Sequence, residues 1–253
     1  MHIMEIDRFF HELLPIDITK KADRAINGLQ VSNKSQKVSK IAFAVDASLE
    51  SFKRAAQSNA DMLFVHHGIF WGAEKAITGD FFNRISFLIE NNIALYAVHI
   101  PLDIHPEIGN NISVAKKAGL EEIESFGEYN GIKIGYKGIF TNPLSCDEIL
   151  LALGFNAAEM LAVLKFGKEK CKSAAVIAGG ACSTVGQAID ENVDLYITGE
   201  VTHQIYHQCL EAKINVISAG HYLTETFGVK NVEKVVREKL DLETCFIDVP
   251  TGL

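Results

Sequence analysis

Two rhythms of apolar positions organise this chain. Ile6, Phe9, Phe10, Leu13 and Leu14 recur at helical spacing and predict an opening amphipathic helix that ends near Pro15. Short apolar runs then alternate with helical stretches. The runs at 41–45, 62–65, 94–98, 132–140, 174–178, 195–198, 215–218 and 245–249 predict strands. Helical periodicity predicts helices over 48–58, 80–91, 111–118, 146–153, 184–191, 201–212 and 229–239. Ser145 followed by Glu148 is a capping-box signature for the helix at 146–153. Strands alternating with helices predict parallel β-α-β units and an α/β fold.

The chain also repeats itself loosely. Residues 39–68 run strand, small-residue turn, helix, strand, polar site, and residues 172–200 run the same way at nearly the same length. Either a duplication or the chance likeness of two β-α-β units accounts for this. Both copies place polar loops at strand C-termini, the edge at which open α/β sheets bind ligands. The glycine-rich IAGGACS (177–183) lacks the G-x-G-x-x-G spacing of a dinucleotide site. It reads as a tight βα turn or as an anion contact at a helix N-terminus.

The polar residues at strand ends carry the candidate chemistry. His66 and His67 close one strand; His99, Pro101, Leu102 and Asp103 follow another; His221 and Glu225 follow a third. Strict alternation along a strand would send His66 and His67 to opposite faces. A strand ending at Val65 would free both rings to lean over the sheet edge. His221 and Glu225 are spaced to share one face of a helical turn. Pro101 argues that His99 to Asp103 is a loop rather than a helix. A single histidine at a strand end is ordinarily a hydrogen-bonded residue, but five such groups at three strand ends favour a metal site. Nitrogen and oxygen ligands without thiolate suit zinc, manganese, iron or cobalt. Three protein ligands suffice for one open site, and five are enough for two ions if a carboxylate bridges.

Other residues give weaker signals. His203 and His207 share a helical face but lack the glutamate of H-E-x-x-H, so a solvated or interface face is the plainer reading. Phe70 and Trp71 read as core or pocket wall. Asp46 and Glu200, also at strand ends, either line the cleft or cap the following helices.

Composition narrows the class. The 253 residues are 48% hydrophobic and 22% charged, and 32 acidic against 24 basic residues leave a formal charge of −8. That balance argues against a duplex nucleic-acid binder. Cys146, Cys171, Cys182, Cys209 and Cys245 are odd in number and include no C-x-x-C pair, which reads as reduced thiols in a cytoplasm. No apolar run is long enough to cross a bilayer, and the N-terminus has no secretory pattern.

Taken in order, NGLQV (27–31), VHHGIFW (65–71), HIPLD (99–103), GNN (109–111), TGE (198–200), GHYLTE (220–225) and FIDVP (246–250) resemble the GTP cyclohydrolase I type 2 homologue family, also called Nif-three-like, in its short bacterial form. The resemblance spans nearly the whole chain. It implies two similar α/β domains with mostly parallel sheets flanked by helices, expected at 1–126 plus 202–253 and at 127–201. It implies a dinuclear centre of two divalent ions. His66 and Asp103 would hold one ion, His67 and His221 the other, and Glu225 would bridge. His99 would lie beside the site, as the candidate for proton transfer. A ring-shaped homohexamer, a trimer of dimers, is also implied.

Two functions fit that reading. One is a metal-dependent hydrolase acting on a nucleotide-like or other small molecule, with GTP cyclohydrolase chemistry as the specific case. No Walker-type loop is present to hold a triphosphate. The other is a non-catalytic, metal-dependent adaptor, regulator or metal carrier acting through the ring.

Overall fold

The computed structural model describes residues 1–253, which form two compact units. One comprises Met1–His105 with Gly228–Val249; the other comprises Pro106–Phe227 with Pro250–Leu253. These divisions differ from the expected boundaries near 126 and 201, and strand pairing is the reason. A cut at 126 would split a strand spanning Glu121–Tyr129, and a cut at 201 would part the strand Asn215–Ser218 from its neighbour Leu195–Thr198.

The first unit opens with α1 (Ile3–Leu13). The His2 ring accepts from the Met4 N–H, and Glu5 reaches back to the His2 N–H, a reciprocal cap on the first turn. The buried face carries Ile3, Ile6 and Phe10. After α2 (Ile16–Thr19) and β1 (Gly28–Val31) comes the run β2 (Lys40–Asp46), α3 (Leu49–Gln57), β3 (Met62–His67), α4 (Gly79–Glu90), β4 (Ala94–Ala97) and α5 (Ile100–Asp103). The sheet order is β1-β4-β3-β2 followed by the strand Glu243–Phe246, and only β1 runs antiparallel. Met62 to His66 are all fully buried, as both faces of a central parallel strand should be. Phe10 packs on Phe64 and Tyr96 with ring centroids 5.0 and 4.7 Å apart, fixing α1 to the sheet. Truncation of Phe64 to alanine would cost about 3–5 kcal/mol.

Two local expectations change here. β3 does not stop at Val65: His67 still pairs with Asp46, and its carbonyl accepts from the Ala47 N–H. The segment after His99 is the one-turn helix α5, with Pro101 in its first turn. A first-turn proline removes an N–H that no intrahelical carbonyl would have received, so the ring costs the helix nothing there.

The second unit runs α6 (Asn110–Lys117), β5 (Glu121–Tyr129), β6 (Ile132–Leu144), α7 (Cys146–Leu153), β7 (Ala162–Leu164), β8 (Cys171–Ile177), α8 (Val185–Asp190), β9 (Leu195–Thr198), α9 (Gln204–Ala212) and β10 (Asn215–Ser218). Its sheet order is β5-β6-β8-β9-β10-β7. The centre, β8-β9-β10, is parallel, and β5, β6 and β7 add antiparallel pairings at the flanks. Each unit is thus built on three consecutive parallel strands, β2-β3-β4 and β8-β9-β10, as the internal repetition in the sequence implies. β5 escaped the hydrophobic pattern because it is an edge strand carrying Glu121, Glu122, Glu124 and Glu128, charges that discourage edge-to-edge pairing. The turn joining it to β6 is Asn130-Gly131, both at positive φ (48° and 83°), which matches the twist of a two-residue hairpin. The Ser145–Glu148 capping box at α7 is present in both directions. The chain ends with α10 (His221–Leu240), which begins eight residues before the expected 229, and β11 (Glu243–Phe246).

Candidate metal centre

In the first unit the C-terminal ends of β3 and β4 bring His66, His67 and His99 together. One ring nitrogen from each lies within 4.8 Å of the others. The His66 and His67 rings are 4.6 Å apart, and His99 stands 5.2 and 5.6 Å from them. Both adjacent histidines therefore serve one locus although the strand continues through them. Asp103, on α5, places Oδ1 3.5 Å from His66 Nε2.

Each imidazole is oriented through the nitrogen that faces away from this locus. His66 Nδ1 lies 2.9 Å from the Val98 carbonyl, His67 Nδ1 2.8 Å from Asp46 Oδ1, and His99 Nδ1 2.9 Å from Asp23 Oδ1. A carbonyl and ionised carboxylates only accept hydrogen bonds, so Nδ1 carries a hydrogen in all three rings and Nε2 is the nitrogen turned to the locus. Acceptors on the far nitrogen are the usual way a protein fixes metal-binding histidines.

Asp23 is the residue that the sequence pattern missed. Its side chain is 1% exposed and receives the Ala25 and Ile100 N–H groups at 2.8 and 3.1 Å and Asn27 Nδ2 at 2.8 Å, besides His99. Burial pushes its carboxyl up, but the His99 hydrogen bond and charge, with Asn27 and the Ala25 N–H, more than offset this and hold it below its usual value. Asn27 also accepts the His99 N–H at 2.7 Å, so the NGLQV segment anchors this histidine. Asp46, read from the sequence as either cleft lining or a helix cap, binds His67, and the N-cap of α3 is Ser48. Trp71 is 42% exposed and meets His99 edge-on, with ring centroids 5.1 Å apart. It is a wall of the locus rather than core.

The second unit repeats the device. His221 opens α10 and Glu225 follows one turn later on the same face, with His221 Nε2 3.1 Å from Glu225 Oε1. On its other side His221 Nδ1 is 2.5 Å from Glu200 Oε1. Burial draws the His221 pKa down, but the hydrogen bonds and charges of Glu225 and Glu200 outweigh it and raise the ring to about 9. Glu225 itself is buried at 3% exposure. The glycine-rich turn explains how the backbone comes so near. A Cβ on Gly179 would stand 2.2 Å from Glu225 Oε1 and 3.1 Å from His221 Nε2, and its φ is +67°. Gly179 is a close-approach residue for this pair. His203 and His207 lie exposed on α9, with rings 6.5 Å apart.

The donor set fits a divalent metal. It consists of imidazole nitrogens and acidic oxygens, with no thiolate. No helix is long and apolar enough to cross a membrane.

Comparison with known proteins places this arrangement in a family. The Duf34/NIF3 (NGG1p interacting factor 3) family profile matches residues 1–252. A protein of Archaeoglobus fulgidus named GTP cyclohydrolase 1 type 2 homolog is 46% identical over 253 residues, covering 100% of both chains. Among solved structures, TTHA1606 from Thermus thermophilus is 34% identical with a TM-score of 0.89 over 100% of both chains. Reduced HcgD from Methanocaldococcus jannaschii is 30% identical with a TM-score of 0.85 over 98% of both. A match along the whole chain, in sequence and in fold, makes this protein a member of the Duf34/NIF3 family.

Proposed function

We propose that this protein is a dinuclear metal-dependent hydrolase of small, nucleotide-like molecules. His66, His67, Asp103, His221 and Glu225 would hold the two ions. The observation that carries the reading is the orientation of the histidines: His66, His67 and His221 each have Nδ1 against an oxygen acceptor, which turns Nε2 to the ligand side, where in His221 it meets Glu225 and would exchange its proton for an ion. A pair of bound divalent cations would supply Lewis acidity and lower the pKa of water toward about 7.

The protein's own groups divide the remaining work. Asp23 fixes the His99 ring with Nδ1 protonated, so Nε2 is free to accept a proton from the attacking water and return it to the leaving group. The His99 side chain is 24% exposed and that of His67 is 17% exposed, so a solute can reach them. That access favours turnover over a sealed structural centre. Trp71 offers a flat apolar wall beside His99 against which a planar substrate could rest. The formal charge of −8 gives a phosphorylated substrate no general attraction, so the ions would have to offset its charge. The ring-shaped hexamer implied by the family resemblance belongs to this reading, and light scattering that returned a monomer would remove it.

The test uses protein loaded in turn with zinc, manganese, iron and cobalt. GTP and a panel of nucleotides and phosphate esters are supplied, with formate and phosphate release as readouts. Turnover that disappears in the His66→Ala/His67→Ala double variant supports the hydrolase. Metal bound at two equivalents, with no turnover above that variant on any substrate, would favour a carrier or adaptor instead.

A further inference from the structure

Cys146 and Cys171 are far apart in sequence but adjacent in the second unit. β6 and β8 pair antiparallel with Leu144 opposite Cys171, so Cys146, two residues beyond that partner and the first residue of α7, arrives beside it. Both belong to one apolar cluster. Cys171 is fully buried, and Asn215 Nδ2 on β10 donates to its Sγ at 3.3 Å. Cys146 lines a cavity of about 480 Å³ together with Ser145, Lys165, Lys168, Lys170 and Asn215. The lysines are held by ion pairs with Asp147, Asp194 and Glu148, at 2.7, 2.7 and 2.5 Å.

We propose that Cys146 and Cys171 are a reactive dithiol, oxidised to an internal disulfide by a low-molecular-weight disulfide that enters this cavity. A pair of thiols packed only as small apolar side chains would need neither the amide donor on one sulfur nor the polar cavity against the other.

The exchange balances as follows. Cys146 loses its proton, and its thiolate attacks one sulfur of the disulfide RSSR. A Cys146–SR bond forms, the S–S bond breaks and RS⁻ leaves. Cys171 then loses its proton and attacks Cys146 Sγ, expelling the second RS⁻. Two thiols of the protein are oxidised and one RSSR is reduced to two RSH, which take up the two protons released.

Oxidised glutathione is the probe. The folded protein is incubated with it at graded ratios to reduced glutathione, quenched in acid, alkylated after unfolding and mapped by mass spectrometry. The expected result is a peptide pair joined through Cys146 and Cys171, restored by dithiothreitol and formed while Cys182 and Cys245 remain alkylatable. Cys171→Ser should stop the sequence with one glutathione on Cys146, and Cys146→Ala should leave Cys171 unmodified. The wild-type measurement stands even if either variant folds poorly. Full alkylation of Cys146 and Cys171 at every ratio would overturn the proposal. So would glutathione on Cys182 or Cys245 with the inner pair untouched.

Discussion

Asp23 and His99 meet through a single hydrogen bond, Oδ1 to Nδ1 at 2.9 Å, and that contact sets which nitrogen His99 presents to the locus. The aspartate comes from the loop between α2 and β1, well before the strand that ends at the histidine. Four donors converge on its two oxygens.

Asp23→Asn replaces one of those accepting oxygens with an NH₂ that must face a donor. We expect a loss of about 1–3 kcal/mol, seen as a lower midpoint in thermal denaturation. The pH dependence has a definite sign. The Asp23 carboxyl is held below its usual 3.8, so its contribution is fully present above that value and is lost as pH falls through the lower folded value. Stability curves of wild type and Asp23→Asn should therefore converge in acid. Parallel curves down to pH 2 would show that the contact carries no stability.

Asp46 and Glu200 orient His67 and His221 from behind. Removing such partners typically weakens metal affinity 10–100-fold (order of magnitude) while leaving the ligand atoms in place. Asp46→Ala and Glu200→Ala should each show a loss of roughly this size in chelator competition. Unchanged affinity in both would contradict the proposed ligand roles of those two histidines.

Gly179 and Gly131 make a matched pair. Both have positive φ, +67° and +83°, but a Cβ on Gly131 would meet nothing within 4 Å, whereas one on Gly179 would meet Glu225. Alanine at Gly131 should cost only the left-handed backbone term of about 1–2 kcal/mol. Alanine at Gly179 should cost more and should also displace Glu225, lowering metal affinity. Equal losses in the two variants, with metal binding intact in both, would mean that Gly179 is required only for its turn.

Trp71 is the chain's single tryptophan, with its ring centroid 6.0 Å from that of His67 and 5.1 Å from that of His99. Titration of metal-free protein with paramagnetic cobalt should quench its fluorescence strongly, and zinc should compete the quenching away. Emission that ignores cobalt at saturating occupancy would place the bound ion elsewhere.

The alternation of apolar runs with helical stretches already contained the α/β class and the strands at the centre of each sheet, because a strand buried on both faces must be apolar throughout. Met62–Val65 and Leu195–Thr198 are such strands. The capping box at Ser145 and the shared helical face of His221 and Glu225 were equally legible, since both depend on residues three or four apart. The charged edge strand β5 was not, because its pairing with β6, not its own hydrophobicity, makes it a strand.

Tertiary structure alone decided the polar partners. Asp23 under His99, Glu200 behind His221, Gly179 against Glu225 and Cys146 beside Cys171 join segments far apart in the chain. Such contacts leave no periodic trace, because a hydrogen bond or a close approach needs only one atom at the right place and puts no constraint on its sequence neighbours. The sequence by itself thus determined the elements and named the histidines. Folding determined which nitrogen each histidine offers, because the acceptor that fixes it is supplied by another strand or loop.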